Sequence, residues 1–248
     1  MNRLDHILIR VDNLEKSVKD FRNAGFSVYL GTSHKDAHNA MVYFKDDSFI
    51  ELVDSSKFPR MLVFLAKTRI INLLGSFYKR IGRYTLSKDT FLDYAIYSRN
   101  IEKQHDRAQN KVSRLHHLSR VDCFGQVLKW KLFVFKETYF PFVMSDYLPY
   151  KYPEMDADKH RNKVSGICQL NIETSSDLLK LQEHLLDVFQ LPQKNIVLRD
   201  NTLEIITQNT SIKYIKGKTN KIIGIKLDHL TPSIESILSE YKLFLCAG

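Results

Sequence analysis

The feature that most constrains the fold of this chain is the order of elements predicted for its first 54 residues. Residues 4–11 alternate between two faces, which predicts a strand. Asp12 or Asn13 can cap the helix that follows, and Gly25 ends that helix. Three strand-like runs come next, at 26–30, 40–44 and 48–53. The segment therefore predicts a β-α-β-β-β unit.

The same order recurs twice, which predicts internal repetition. In the second copy a strand at 91–98 precedes a helix from Asn100 to about Lys111 and a hairpin at 127–136 and 139–148. In the third copy a strand at 166–173 precedes a helix, capped by Ser175 or Ser176 and ending at Leu191, and three strands at 195–199, 203–207 and 212–215. A last strand at 222–227 and a helix at 233–241 remain. The polar segment 150–165 is the predicted boundary.

Composition excludes several classes of protein. With 44% hydrophobic and 26% charged residues, the 248-residue chain has ordinary globular usage. No run of eighteen apolar residues predicts a membrane-spanning helix, and the N-terminus has no signal-peptide core. The cysteines, Cys123, Cys168 and Cys246, are odd in number and far apart, so they predict neither a disulfide framework nor a zinc site. A reducing, cytoplasmic location is expected.

Two short motifs bracket the first unit, Leu4-Asp5-His6-Ile7 and Phe49-Ile50-Glu51-Leu52. Between them, residues 31–40 read Gly-Thr-Ser-His-Lys-Asp-Ala-His-Asn-Ala. On these residues the chain resembles the vicinal oxygen chelate superfamily, which includes glyoxalase I and the extradiol dioxygenases. Within it, the chain is most similar to glyoxalase-like proteins, whose first module carries Gly-Gly-Arg-His…Gly-Thr-x-Asn-Ala before the third strand. Trp130 and residues 141–144 resemble the second module of that family.

The resemblance implies an α+β fold of repeated βαβββ modules that form a cupped mixed β-sheet. Modules 1–54 and 91–148 then make one glyoxalase-like domain, 1–150, with a basic helical insertion at 55–90. Residues 151–248 form a degenerate third module followed by a strand and a helix. The odd third module predicts a homodimer, because an open sheet edge favours pairing.

The resemblance also implies a metal site on the concave face of the sheet. There His6 and Glu51 are expected to bind one divalent ion, Zn, Fe, Mn, Ni or Co, with Glu51 also the candidate catalytic residue. Alignment by helix starts places Asp93, the third candidate metal ligand, at the position of His6 in the second module and Ser145 at that of Glu51. Because a serine hydroxyl is a poor neutral ligand, the ligand set is half present. On the residues alone, His6 could be a hydrogen-bonded structural residue and Glu51 could pair with Arg10.

Candidate ligand-contacting residues follow from the same resemblance. His34, His38 and Asn39 lie in the loop before the third strand, where the family carries His and Asn. Arg10 and Trp130 complete the set expected to contact a small-molecule substrate. The pair His116-His117 is predicted to lie in a solvated helix or loop and receives no role.

The segment 55–88 contains eight Lys or Arg residues and no acidic residue. Ile70, Leu74, Phe77 and Ile81 follow each other at helical spacing. Such a segment is typical of a membrane-surface helix or of a cover over the open end of a sheet. We favour the cover, because the family commonly carries an insertion here, so membrane binding is not expected. Nucleic-acid binding is not expected either, since no recognition fold is present.

Two functions follow from these observations. The first is an enzyme, a lyase, isomerase or dioxygenase that acts on a small oxygenated molecule with a metal at His6 and Glu51. The second is a metal-free module of the same shape that binds or sequesters a small ligand without catalysis. The incomplete ligand set favours the second function, and the His6–Glu51 pair favours the first.

Overall fold

The computed structural model describes residues 2–31, 37–121, 125–137, 140–149, 159–229 and 231–245. The first module consists of β1 (Arg3–Val11), α1 (Leu14–Asn23), β2 (Tyr29–Leu30), β3 (Asn39–Tyr43) and β4 (Phe49–Asp54). Asn13 caps α1, since its side-chain oxygen accepts a hydrogen bond from the Lys16 N–H at 2.9 Å. Gly25 follows the helix with a φ of 89°, a left-handed conformation that favours glycine.

The two modules join through their first strands into one eight-stranded sheet. The second module consists of β5 (Phe91–Tyr97), α4 (Ile101–Ala108), β6 (His116–Val121), β7 (Val127–Val134) and β8 (Phe142–Met144), and α2 and α3 lie between the modules. The strand order is β2-β3-β4-β1-β5-β8-β7-β6, with β1 and β5 antiparallel at the centre. In each module the last strand runs parallel to the first. The predicted α+β fold with a cupped mixed sheet is confirmed.

The rest of the chain forms a six-stranded sheet of its own, in the order β10-β11-β12-β9-β13-β14. Its elements are β9 (Ile167–Thr174), α5 (Leu178–Phe189), β10 (Ile196–Arg199), β11 (Thr202–Ile206), β12 (Ser211–Lys216), β13 (Lys221–Leu227), α6 (Pro232–Leu238) and β14 (Leu243–Leu245). One continuous apolar core contains side chains from both sheets and from the helices. The hydroxyls of Tyr94 and Tyr214 meet within it at 2.6 Å and join the sheets. The proposed domain boundary near residue 150 stays a prediction, because residues 150–158 lie outside the described ones.

The basic insertion folds onto the concave face of the eight-stranded sheet. It contains α2 (Arg60–Lys67), a 3-10 turn at Ile70–Leu74 and α3 (Ser76–Leu86). Its residues Phe58, Phe77 and Tyr84 pack against a second apolar cluster, which the sheet contributes from its concave side. The sheet residues of this cluster are Leu8, Val53, Leu92, Ala95, Leu132, Val134, Phe142 and Met144. The insertion is therefore a cover for this face.

Several local predictions are wrong. The strand predicted at 26–30 is reduced to two residues, His116 and His117 lie in β6 rather than in a loop or helix, and β14 was not predicted. The apolar stripe of the insertion is interrupted by Gly75, whose φ of 96° separates the 3-10 turn from α3. Ile70 and Leu74 are consequently 47% and 56% exposed, whereas Phe77 and Ile81 are half-buried.

Two findings bear on the expected class of protein. Cys168 is disulfide-bonded, so the expectation that the cysteines form no disulfide is wrong. Among the described residues, no helix is long and apolar enough to cross a membrane.

Candidate functional site

His6 is fixed on the concave face by a carboxylate on its own strand. Neighbouring strand residues normally point to opposite faces, but the pairing of β1 with β5 shifts register between Leu4 and His6. Asp5 lies at this shift, and its Oδ2 is 2.7 Å from the Nδ1 of His6. When the ring is neutral, Nδ1–H donates to Asp5 and the lone pair remains on Nε2.

Two aromatic rings hold the imidazole in place. The His6 ring stacks on Phe49 with centroids 4.4 Å apart, and the Phe142 ring meets it edge-on at 5.3 Å. His6 is only 3% exposed. The imidazole therefore has one orientation, with Nε2 available to a partner on the concave face.

Glu51 supplies that partner. Glu51 lies level with Leu8 in the parallel pairing of β1 and β4, which puts its side chain on the same face as that of His6. Its Oε1 accepts a hydrogen bond from the Asn39 side-chain amide at 2.7 Å, and its Oε2 lies 3.8 Å from the Nε2 of His6. When the ring is neutral, both of these facing atoms are acceptors, and a donor group of a ligand can hydrogen-bond to either. The Glu51 side chain is 21% exposed, which opens the pair to a ligand.

Asn39 is held close to the backbone of β2. A side chain at Gly31 would place a Cβ only 2.0 Å from the Oδ1 of Asn39, so this position requires glycine. The Oδ1 atom is buried and has no hydrogen-bond partner among the described residues. Asn39 is therefore positioned chiefly by its amide hydrogen bond to Glu51.

Tyr147, which follows β8, is a site residue that the sequence reasoning missed. Its ring packs against Trp130 with centroids 5.1 Å apart, and the Arg120 guanidinium lies 5.6 Å from its centre. Burial raises the pKa of its hydroxyl, and the charges of Glu51 and Asp5 raise it further. The hydroxyl therefore stays protonated and can donate to a ligand. Nothing in the local sequence distinguishes this tyrosine from the other eleven, because its position depends on packing against Trp130 and Arg120 in the folded sheet.

Asp93 is engaged by the insertion instead of by a ligand. Its carboxylate accepts hydrogen bonds from Arg80, from the hydroxyl of Tyr84 and, at 3.0 Å, from Arg83. Arg80 is itself 1% exposed and also donates to the carbonyl of Phe140. Burial alone would raise the pKa of Asp93, but the charges and hydrogen bonds of Arg80, Arg83 and Tyr84 together outweigh burial and lower it. The carboxylate is thus ionised and committed to an ion pair.

The pairing of β1 with β5 shows which residues correspond in the two modules. His6 lies opposite Ala95, and Leu8 lies opposite Asp93. An approximate twofold axis between the two strands therefore relates His6 to Asp93 and Leu8 to Ala95. The alignment by helix starts gave the same counterpart for His6.

The counterpart of Glu51 differs from the predicted one. Glu51 lies level with Leu8, and Phe142 lies level with Ala95, so Phe142 takes the position of Glu51 in the second module. Ser145, the predicted counterpart, uses its hydroxyl to accept from the Lys131 N–H at 3.0 Å. An apolar ring thus stands where a ligand was expected.

These residues do not fit a tightly held divalent metal. His6 and Glu51 offer two donors, while Asp93 is paired with Arg80 and Phe142 offers none. Within the described ranges, no group of three His, Cys, Asp or Glu side chains is placed to hold an ion. Catalytic sites for such ions ordinarily use at least three protein ligands.

The remaining predicted residues are not all brought to this site. Trp130 lies half-buried in the concave cluster. Arg10 donates to Ser55 at 3.2 Å and pairs with Asp12 rather than with Glu51. His38 is exposed and contributes its backbone carbonyl to β4. His34 lies outside the described residues.

Comparisons with known proteins agree with this architecture. A family model described as a glyoxalase-like domain matches residues 4–187. A hypothetical protein from Staphylococcus aureus superposes with a TM-score of 0.68 at 16% identity, covering 92% of this chain and 91% of that one. The Mn(II)-bound glyoxalase from Novosphingobium aromaticivorans gives 0.54 at 10% identity, covering 97% and 71%. The 2,2',3-trihydroxybiphenyl 1,2-dioxygenase from Sphingomonas wittichii strain RW1 gives 0.52 at 9% identity, covering 96% and 78%.

At these identities the solved structures show a shared fold and nothing about activity. No curated protein matches the sequence significantly.

Proposed function

Because the chain belongs to the glyoxalase-like domain family of the vicinal oxygen chelate superfamily, we propose that it binds a small oxygenated molecule over the His6–Glu51 pair and moves a proton within it. One observation carries the proposal: the Nε2 of His6 and the Oε2 of Glu51 lie 3.8 Å apart on a face that Glu51 opens to solvent. A ligand with adjacent hydroxyl and carbonyl groups can hydrogen-bond to both atoms.

Each neighbour of the pair has a role in this chemistry. His6 accepts a proton at Nε2, and the Asp5 carboxylate at Nδ1 stabilises the imidazolium that results. Glu51 accepts or returns a proton at Oε2 while Asn39 holds its other oxygen. Tyr147 donates a hydrogen bond to a ligand oxygen. Two bases beside one ligand support a proton shift between neighbouring atoms, the step that isomerases and lyases use.

A second function, binding without catalysis, is favoured by the walls of the cup. Phe142, Trp130 and Tyr147 line it with aromatic rings, and such walls bind planar or apolar parts of small ligands. In that case His6 and Glu51 only orient the ligand.

Proton exchange in D₂O distinguishes the two functions. We would incubate the protein with hydroxyacetone, glycolaldehyde or dihydroxyacetone in the presence of EDTA and follow the ligand protons by NMR. The first function predicts line broadening and exchange of the C–H protons next to the carbonyl, both lost in His6→Ala and Glu51→Gln. The exposed Glu15→Gln on α1 is the matched control and should exchange as the wild type does.

The other outcomes are equally informative. Broadening without exchange establishes the binding function and refutes the proton shift. If none of the three probes shows either broadening or exchange, the proposal is refuted. Protein purified without chelator should carry far less than one equivalent of transition metal. A stoichiometric metal that is lost in His6→Ala would overturn the metal-free mechanism.

A further inference from the structure

The insertion exposes an unusual amount of apolar surface on the side that faces away from the sheet. Phe64 on α2 is 60% exposed and Leu73 in the 3-10 turn is 85% exposed. Five further large apolar residues of the insertion are also exposed, namely Met61, Ile70, Leu74, Tyr78 and Leu86. Isolated exposed apolar residues need no explanation, but a group within one short segment indicates a binding surface.

The same side of the insertion carries only positive charge. Residues 55–88 include no Asp or Glu. Six of their basic residues are exposed: Lys57, Arg60, Lys67, Arg69, Lys79 and Lys88. On α2, Arg60, Phe64 and Lys67 are spaced four and three residues apart, so they share one helix face with the aromatic ring between the two charges.

We propose that this outer side of the insertion, the insertion surface, binds an anionic membrane surface. The apolar residues of the insertion surface are Met61, Phe64, Ile70, Leu73 and Leu74, and its charges are Arg60, Lys67, Arg69 and Lys79. Two contributions hold peripheral proteins on bilayers. Apolar side chains enter the boundary between headgroups and acyl chains, and cationic side chains lie beside anionic headgroups. This interaction was not expected from the sequence, where cover and membrane binding stood as alternatives.

The insertion performs both roles because it has two different sides. Its inner side is fixed to the sheet by the buried Arg80–Asp93 ion pair and by Phe77, whose ring stacks on His116 at 4.2 Å. These contacts leave α2 and the 3-10 turn free to present their outer residues. Because the insertion is already ordered on the sheet, binding a bilayer does not require it to fold.

The combination of charge and apolar exposure identifies the partner. A polyanion such as a nucleic acid would use the lysines and arginines but would leave Phe64, Leu73 and Met61 in water. A second copy of the chain would bring the same positive segment against itself, where like charges repel. An anionic bilayer uses both kinds of residue.

Vesicle flotation tests the proposal with the full chain. The wild type should float with vesicles of phosphatidylcholine mixed with phosphatidylglycerol and stay behind with phosphatidylcholine alone. Lys67→Gln/Arg69→Gln should weaken partitioning about 25-fold, since each basic residue near an anionic surface contributes about fivefold. Phe64→Ser/Leu73→Ser should weaken it more than tenfold through lost apolar burial.

Matched controls remove the same groups elsewhere. Lys103→Gln/Lys180→Gln deletes two exposed charges on α4 and α5, and Leu179→Ser deletes an apolar side chain of α5 that is 59% exposed. Both should float as the wild type does.

Three results would overturn the proposal. The first is equal flotation with neutral vesicles, and the second is no flotation with either kind. The third is flotation that Phe64→Ser/Leu73→Ser leaves unchanged, which would reduce the interaction to nonspecific charge. Light scattering tests whether a second copy of the chain binds this surface instead. The second copy would be identified if the protein does not float but forms concentration-dependent dimers that Phe64→Ser/Leu73→Ser abolishes.

Discussion

Asp93→Asn provides the most direct test of how the insertion is held on the sheet. The substitution keeps the shape of the side chain but removes the negative charge that Arg80 meets inside the protein. Removal of one partner from a buried pair costs about 3–5 kcal/mol, because the remaining charge is left uncompensated. For a chain of 248 residues we therefore expect the melting temperature to fall by about 6–20 °C.

Urea unfolding followed by circular dichroism measures this loss, with two further variants for comparison. Glu102→Gln breaks the exposed pair with Lys131 and should change the free energy of unfolding by at most about 1 kcal/mol. Arg80→Met/Asp93→Leu removes both charges and should recover most of the stability that Asp93→Asn loses. A loss below about 1 kcal/mol in Asp93→Asn, with no recovery in the double variant, would refute the argument that this pair anchors the insertion.

Three other substitutions test the strand beneath the insertion and the His6–Glu51 site. Burial, together with the nearby charge of Arg114, lowers the pKa of His116 below its ordinary 6.5. The folded protein therefore resists protonation of this ring, so its stability is highest above pH 6.5 and declines as the pH falls below that value. His116→Phe should flatten that decline in thermal melts between pH 5 and 7, and an unchanged profile would contradict this origin. Glu51→Ala should lower stability by about 1–3 kcal/mol in chelator, because the buried Asn39 amide loses its acceptor; a loss seen only with added metal would contradict it. Phe142→Glu adds a carboxylate at the counterpart of Glu51, so Mn²⁺ should raise the melting temperature of this variant and leave that of Phe142→Gln unchanged.

The order of elements was predictable because it depends on local signals. Alternation in β1 and the cap at Asn13 act within a few residues, and the structure contains both. The cap of α5 is Asp177 rather than Ser175 or Ser176, an error of one or two residues that changes no topology. The strand β6 was not predicted because its side chains alternate only between half-buried and exposed positions. Its sequence, which begins with two histidines, therefore shows no clear alternation of apolar and polar residues.

The sequence could predict site residues only where the alternation of side chains along a strand decides which face of the sheet they occupy. This alternation was enough to place His6 and Glu51 on one face. It places Asp5 on the other face, and only the register shift between β1 and β5, which depends on a partner strand about ninety residues away, brings Asp5 to His6. Arg80 is equally nonlocal. In sequence it is one of eight basic residues of an exposed segment, yet it is fully buried because Asp93 receives it.

The two modules use equivalent positions for different purposes. In the first module the Nε2 of His6 and the Oε2 of Glu51 lie 3.8 Å apart on the concave face. In the second, Asp93 holds α3, and Phe142 lies between the two halves of the cup. The Arg80 guanidinium lies 5.9 Å from the centre of the Phe142 ring, and the centre of the His6 imidazole lies 5.3 Å from the same ring. A continuous chain of contacts therefore runs from the insertion to His6 through one ring. Asp93 and Phe142, at the positions equivalent to His6 and Glu51, thus connect the cover to that pair.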